Sequence, residues 1–347
     1  MTDQPLELPE ALSRRDFVKM SALAWLGMGL PVNWRRTSFG LESPALGRVA
    51  SPTAEVYREP SFASRRVETL WRDDVVELAG AALGGPQPEH NRVWYEVDHK
   101  GFVHSSSIQP VEDQPNEPLT FVPHRGWLME VTVPFVDAFW KPRSDAEKAY
   151  RFYYSTTHWV TGVSRDVRGD LWYRIADDKY TYTYYAPATG FRPVPVAELA
   201  PISNHVPSDE KRIEVDLARQ WVRCYESDRE VFTTKIASGR YFSDGSYWTP
   251  TGDFVTFRKR PSRHMASGNR ATGYDLPGVP WVCYFTENGV AFHGTYWHND
   301  FGAPQSHGCI NMTPQASKWL YRWSRPVVPA KDDEVWVSYG SQVRVHA

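Results

Sequence analysis

From Pro44 onward the chain alternates apolar and polar residues in strand-length runs: "AEVYREPSFASRRVETLWRDDVVELAGA", then "RVWYEVDHKGFVHSSSIQPV". A period of two puts successive side chains on opposite faces of a sheet, and each run is cut by Pro, Gly or a polar turn. The pattern predicts small β-barrels rather than helices. Composition agrees, with 27 Pro, 15 Trp and 18 Tyr beside a modest 41% of hydrophobic residues. This is the profile of a mainly β protein with many turns and exposed aromatic surface, suited to polymers such as glycans. At 347 residues there is room for two or three domains, each with its own core. A net charge of −2 offers no electrostatic case for nucleic acid.

The first barrel has a weaker copy. "DAFWKPRS" (Asp137 to Ser144) echoes "AEVYREPS" (Ala54 to Ser61), "DLWYRIADD" echoes "RVWYEVDHK", and "VAELAPI" (Val196 to Ile202) echoes "HSSSIQPV". The copies lie about 80 residues apart, which reads as a tandem pair joined by the Pro-rich "EDQPNEPLTFVPH". Arg58 to Pro60, Trp94-Tyr95-Glu96-Val97, Gly101-Phe102-Val103 and Ile108 to Val111 resemble the strands of bacterial SH3-like (SH3b) domains. The expected boundaries are 48–112 and 125–202. Within each pair, Trp94-Tyr95 and Trp172-Tyr173, alternation predicts one buried and one more exposed ring. SH3b domains on wall enzymes imply targeting modules, whose removal leaves turnover of a small soluble substrate unchanged.

The third segment opens with "RIEVDLARQWVRCYE", turns at Ser227-Asp228-Arg229, and returns as "EVFTTKIAS", a hairpin. The one convincing helix is "TPQASKWLYRWS", with Thr313 as cap, Pro314 in the first turn and Pro326 as stop. Cys224 and Cys283 lie in strand-like runs and read as buried strand cysteines. Three cysteines are an odd number, so at least one thiol stays free within a single chain.

At the N-terminus, Ser13-Arg14-Arg15-Asp16-Phe17-Val18-Lys19 resembles a twin-arginine export signal. The apolar stretch from Met20 to Val32 falls short of the roughly 20 residues of a transmembrane helix and fits a signal h-region. Residues 1–40 are thus expected to be a signal or, given Arg35-Arg36, a retained membrane anchor. The expected address is extracytoplasmic, in the cell wall or periplasm.

The chemistry concentrates in "HGTYWHNDFGAPQSHGCINM", His293 to Met312. A thiol with a pKa of about 8.5 is only a few per cent thiolate at neutral pH, so an imidazole that takes its proton raises its reactivity. Cys309 is the candidate nucleophile and His293 the candidate base. A zinc site from His293, His298, His307 and Cys309 fits no common ligand spacing. A buried, inert Cys sits poorly among Gly, Ser and Asn. In the NlpC/P60 peptidases, which also carry SH3b domains, Cys precedes His, the reverse of the order here.

His293-Gly294-Thr295 followed by Ser306-His307-Gly308-Cys309-Ile310-Asn311 closely resembles the L,D-transpeptidase (YkuD) signature. "WTPTGDFVTF" and the opening strands match the same family, and the catalytic domain is expected over 208–340. The resemblance implies that His293 leans on the main-chain carbonyl of Gly294, with Asp300 a conceivable substitute. It also implies that N–H groups near Gly308 and Cys309 form an oxyanion hole, and that Gly294 allows a sharp turn. Ser306 and Asn311 hold the loop, and His307 shapes the pocket or assists the acceptor. Tyr296 is placed among the substrate-binding candidates. His298 and Trp297 are read as cleft or solvated loop, with His298 of little consequence. The implied activity is transfer between peptidoglycan stem peptides of the cell wall, with no cofactor and no metal. L,D-carboxypeptidase, protein anchoring and non-catalytic wall binding are the alternatives.

Overall fold

The structure is a computed structural model and describes residues 45–243, 245–268 and 273–347. The twin-arginine-like stretch and its apolar run lie outside the described residues. No helix among the described residues is long and apolar enough to cross a membrane.

The fold is mainly β. The first unit contains β1 (Ala45–Val49), β2 (Thr53–Tyr57), β3 (Arg66–Trp71), β4 (Val75–Leu83), β5 (Val93–Val97), β6 (Gly101–His104) and β7 (Ile108–Val111), in the order β3-β2-β6-β5-β4-β1-β7. The second unit contains β8 (Trp127–Val131), β9 (Phe135–Phe139), β10 (Lys148–Tyr153), β11 (Thr157–Arg165), β12 (Leu171–Ala176), β13 (Thr183–Pro187) and β14 (Phe191–Pro193). Its order is β10-β9-β13-β12-β11-β8-β14, which is the first order with every strand advanced by seven. In each unit a single 3₁₀ turn, Ser105–Ser107 or Ala188–Gly190, leads into the last strand. The partner of "HSSSIQPV" is therefore "PATGFRPV". "VAELAPI", expected to be that partner, instead opens as the helical turn α1 (Val196–Leu199).

The W-Y expectation holds in part. Trp94 is buried and Tyr95 half-buried, but Trp172 and Tyr173 are both buried. Trp172 sits edge-on to Phe139 with its indole N–H on Asp166, and the Tyr173 hydroxyl accepts the Leu119 N–H at 2.8 Å. Both faces of β12 are covered at this point, so alternation no longer separates core from surface.

The remaining chain makes two five-stranded sheets. One comprises β15 (Lys211–Asp216), β16 (Trp221–Glu226), β17 (Arg229–Lys235), β20 (Gly252–Val255) and β26 (Gln342–His346). The other comprises β21 (Arg258–Ser267), β22 (Tyr274–Tyr284), β23 (Ala291–Gly294), β24 (Ile310–Met312) and β25 (Val335–Trp336). The short pair β18 (Tyr241–Phe242) and β19 (Gly245–Ser246) stands between β17 and β20. Helix α2 (Pro314–Trp323) begins at Thr313, whose hydroxyl oxygen accepts the Ala316 N–H at 3.2 Å. Its buried Leu320 and Trp323 join Ile213, Cys224, Trp281 and Cys283 in one core. Cys224 and Cys283 are free, buried thiols. Leu128 and Val194 of the second unit belong to the same cluster, so that unit shares a core with the C-terminal sheets.

Candidate active site

β23 and β24 lie parallel, with Phe292 opposite Ile310 and His293 opposite Asn311. This pairing places Cys309, one residue before β24, at the level of β23. Sixteen positions of sequence separation, from His293 to Cys309, are thereby spanned by neighbouring strands.

His293 is buried, and its Nδ1–H donates to the Gly294 carbonyl at 3.0 Å. That bond leaves Nε2 as the basic nitrogen. Burial pulls its pKa down to about 4, so the ring is neutral at pH 7. The Cys309 residue is half-buried, but its sulfur sits where burial pushes the thiol up to about 11, partly offset by the Ala291 N–H. Its Sγ donates to the Gly289 carbonyl at 3.7 Å. The resting pair is a thiol and a neutral imidazole, with no hydrogen bond between them. Catalytic contacts often tighten only when substrate arrives.

The Ser306–Cys309 turn closes on itself. Ser306 Oγ donates to the Cys309 carbonyl at 2.5 Å and accepts the Gly308 N–H at 3.1 Å. The Gly308 N–H, expected in the oxyanion hole, is engaged by Ser306 in this state because the tight turn brings that hydroxyl within reach. Gly308 has φ +109°, a conformation glycine adopts at no steric cost. Gly294 serves differently from expectation. It lies within β23, and a Cβ there would stand 2.7 Å from Pro280 and 2.8 Å from Ser317. It is needed for close packing rather than for a turn.

Thr249, Gly239 and Gln220 also build the site, and none of them is singled out by sequence reasoning. The Thr249 hydroxyl donates to the Gly308 carbonyl at 2.8 Å and accepts the Gly239 N–H at 3.0 Å. Gln220 holds Ser238 through two bonds of 2.8 Å, and the Ser238 carbonyl accepts the N–H groups of Gln305 and Ser306, both at 2.9 Å. The available signal for Thr249 and Gln220 was their membership of two stretches already matched to the family, "WTPTGDF" and "RIEVDLARQWV"; Gly239 lies in neither.

His307 stacks on Phe242 at 3.9 Å and meets Tyr247 edge-on at 4.7 Å, forming an aromatic wall. Tyr296 is not in a cleft. It is buried, stacks on Tyr153 at 5.2 Å and donates its hydroxyl to Pro277 at 3.1 Å, so the second unit and β22 cover it.

His298 is also no solvated residue, and burial pulls its pKa down to about 4. Its Nδ1 accepts the Asp300 N–H at 3.2 Å, so Nε2 carries the proton. The Asn311 amide nitrogen is placed 2.9 Å from Nε2; turned over, the same amide would present its oxygen to that N–H and partner an otherwise unsatisfied buried atom. Asp300 pairs with His90 at 2.9 Å and accepts the Gln305 amide at 2.7 Å. It is not the partner of His293. Among the described residues no group of three or more His, Cys, Asp or Glu side chains is placed to hold a metal ion.

Residues 210–345 match the family model of the L,D-transpeptidase catalytic domain, YkuD. The chain is 32% identical over 104 residues to a provisionally named L,D-transpeptidase YkuD of Bacillus licheniformis, covering 29% of this chain and 52% of that protein. It thus spans about half the length of that curated relative. Among solved structures, the catalytic domain of the E. faecium L,D-transpeptidase is 27% identical, covering 40% of this chain and 98% of that one, with a TM-score of 0.31. An L,D-transpeptidase from Mycobacterium smegmatis is 21% identical, covering 53% and 80%, with a TM-score of 0.33. Residues 210–345 of this chain are thus similar to the catalytic domain of the L,D-transpeptidase family.

Proposed function

We propose that the protein is an exported, cysteine-dependent peptidoglycan L,D-transpeptidase. The observation that carries this reading is the strand pair that sets Cys309 beside β23 while the Gly294 carbonyl holds His293 with Nε2 as base. Since the resting thiol is neutral, its proton leaves as Sγ attacks rather than beforehand.

Cys309 Sγ bonds to the carbonyl carbon of the third residue of a donor tetrapeptide stem, and His293 Nε2 takes the thiol proton. The C–N bond to the terminal D-Ala then breaks, its nitrogen receives that proton, and a thioester remains. An amine of a neighbouring stem attacks the thioester and gives its proton to Nε2. The sulfur leaves, recovers the proton, and a 3→3 cross-link results. The aromatic wall of His307 and the Ser306 hydroxyl shape the approach.

In the same reading, Ser13 to Lys19 directs export to the wall, and the two seven-stranded units are SH3b-like domains. Their motifs and shared strand order support that assignment.

Incubation with purified disaccharide-tetrapeptides, read by mass spectrometry, tests the function. The expected products are a 3→3 linked dimer and one D-Ala per dimer. D-Ala release without dimer would replace the reading with an L,D-carboxypeptidase. No change in the muropeptides would leave a non-catalytic wall-binding protein.

A further inference from the structure

The loop between His293 and Cys309 is held from outside the C-terminal sheets. At Asn299, the backbone N–H donates to the Ser106 carbonyl at 3.0 Å and the side-chain amide to the Ser105 carbonyl at 3.2 Å. Both acceptors belong to the 3₁₀ turn between β6 and β7 of the first unit. The next residue, Asp300, takes His90 of the same unit at 2.9 Å. Arg48 of β1, itself buried and fixed by Asp73 and Gln109, donates to the Tyr296 carbonyl. At Gly302 a Cβ would stand 3.1 Å from His90 Cβ, so the two segments are in contact.

From this clamp two short paths lead to the reacting groups. Along one, the Asp300 N–H fixes His298, and His298 fixes Asn311, which pairs with His293 across the two strands. Along the other, the Asp300 carboxylate holds Gln305, whose amide oxygen accepts from Arg240 at 2.8 Å and whose N–H lies on Ser238 beside Ser306.

We propose that the first β unit is a working part of the catalytic centre, with His90 and Asn299 as positioning residues that hold Asp300, His298 and Asn311 in place for His293 and Cys309. The unit is then more than a tether to the wall. The choice of a tetrapeptide substrate below rests on the transpeptidase reading, whereas the alkylation measurement does not.

His90 and Asn299 are half-buried polar residues that belong to no core cluster themselves, so the double variant H90A/N299A is expected to fold. Two rates are measured on the full chain alongside its melting temperature. The first is alkylation of Cys309 by iodoacetamide at pH 7, which is specific because Cys224 and Cys283 are buried. The second is acylation by a soluble tetrapeptide, separated into kcat and KM. Displacement of catalytic groups by even about 1 Å can cost on the order of a hundredfold. The expected result is a loss of about tenfold or more in alkylation and in kcat, with KM and melting temperature close to wild type. His90→Gln, which still donates to Asp300, should restore most of the rate in the Asn299→Ala background.

Wild-type rates in a folded double variant would overturn the proposal. So would a fall in rate that His90→Gln does not relieve. If the double variant melts well below wild type, the comparison of His90→Ala with His90→Gln decides by the same criteria. A wild-type protein that alkylates normally but forms no acyl-enzyme would refute the transpeptidase reading, and the alkylation rates would still decide the role of the first unit.

Discussion

The Thr249 hydroxyl spans two glycines, donating to the Gly308 carbonyl at 2.8 Å and accepting the Gly239 N–H at 3.0 Å. It therefore sets the orientation of the peptide that immediately precedes Cys309. Gly239 allows the approach, because a Cβ there would lie 1.9 Å from the Tyr247 carbonyl. Thr249→Val keeps the shape and strands both buried main-chain groups, at a cost of about 1–3 kcal/mol each. The variant should melt measurably lower and acylate at least about tenfold more slowly, while Thr249→Ser stays near wild type. Equal acylation by the Val and Ser variants would show that the bridge is dispensable.

Cys309→Ala should abolish acyl-enzyme formation, seen as loss of the adduct in intact-mass spectra, with little change in melting temperature because the side chain is half-buried. His293→Ala should slow acylation by roughly 10²–10⁴-fold, the usual contribution of a positioned base. His298→Ala should also slow it, by an intermediate factor, since His298 holds Asn311. If His298→Ala were silent, the path from Asp300 to Asn311 would carry no catalytic weight.

Acid should destabilise the fold below pH 6.5 through buried histidines. Burial lowers the pKa of His158 to about 3, and of His293 and His298 to about 4, from an ordinary 6.5. Between 6.5 and 4 the unfolded chain takes up protons that the folded chain does not, so stability falls as pH is lowered through that window. His264 works in the opposite sense. Burial pulls its pKa down, but Asp177 and Asp275 on its two ring nitrogens raise it overall. Its stabilisation is fully present below 6.5 and is lost as pH rises through the folded value. Melting temperature should decline on both sides of a maximum, and His264→Gln should remove most of the alkaline decline. A flat profile from pH 6.5 to 4 would contradict the assignment of neutral buried rings.

The C-terminal sheets should not stand alone. Leu128 and Val194 of the second unit lie in the same core as Ile213, Trp281 and Leu320. A fragment beginning at residue 208 would expose that surface, and it is expected to aggregate or to melt far below the full chain. Leu128→Ala in the full chain should cost about 2–5 kcal/mol, measured by chemical denaturation. A soluble fragment with native stability would make the shared core incidental.

Period-two alternation and turn residues were enough to indicate a mainly β chain and a tandem pair of similar units, and the His-Gly-Thr and Ser-His-Gly-Cys spacing marked Cys309 and His293 as the candidate pair that the parallel strands then bring together. These features are local, because a strand's two faces, a helix cap at Thr313 and a thiol's chemistry are each encoded within a few residues. The burial of both Trp172 and Tyr173 could not be read in this way, since it depends on what covers the second face of β12. The same holds for Tyr296, which looks like a cleft residue in sequence and is covered by Tyr153 from about 140 positions away. The bonds from Ser105, Ser106 and His90 to Asn299 and Asp300 join segments some two hundred residues apart. Such pairs carry no periodicity and no spacing rule, so only the packing of the units against one another decided that the loop between base and nucleophile would be held by the first of them.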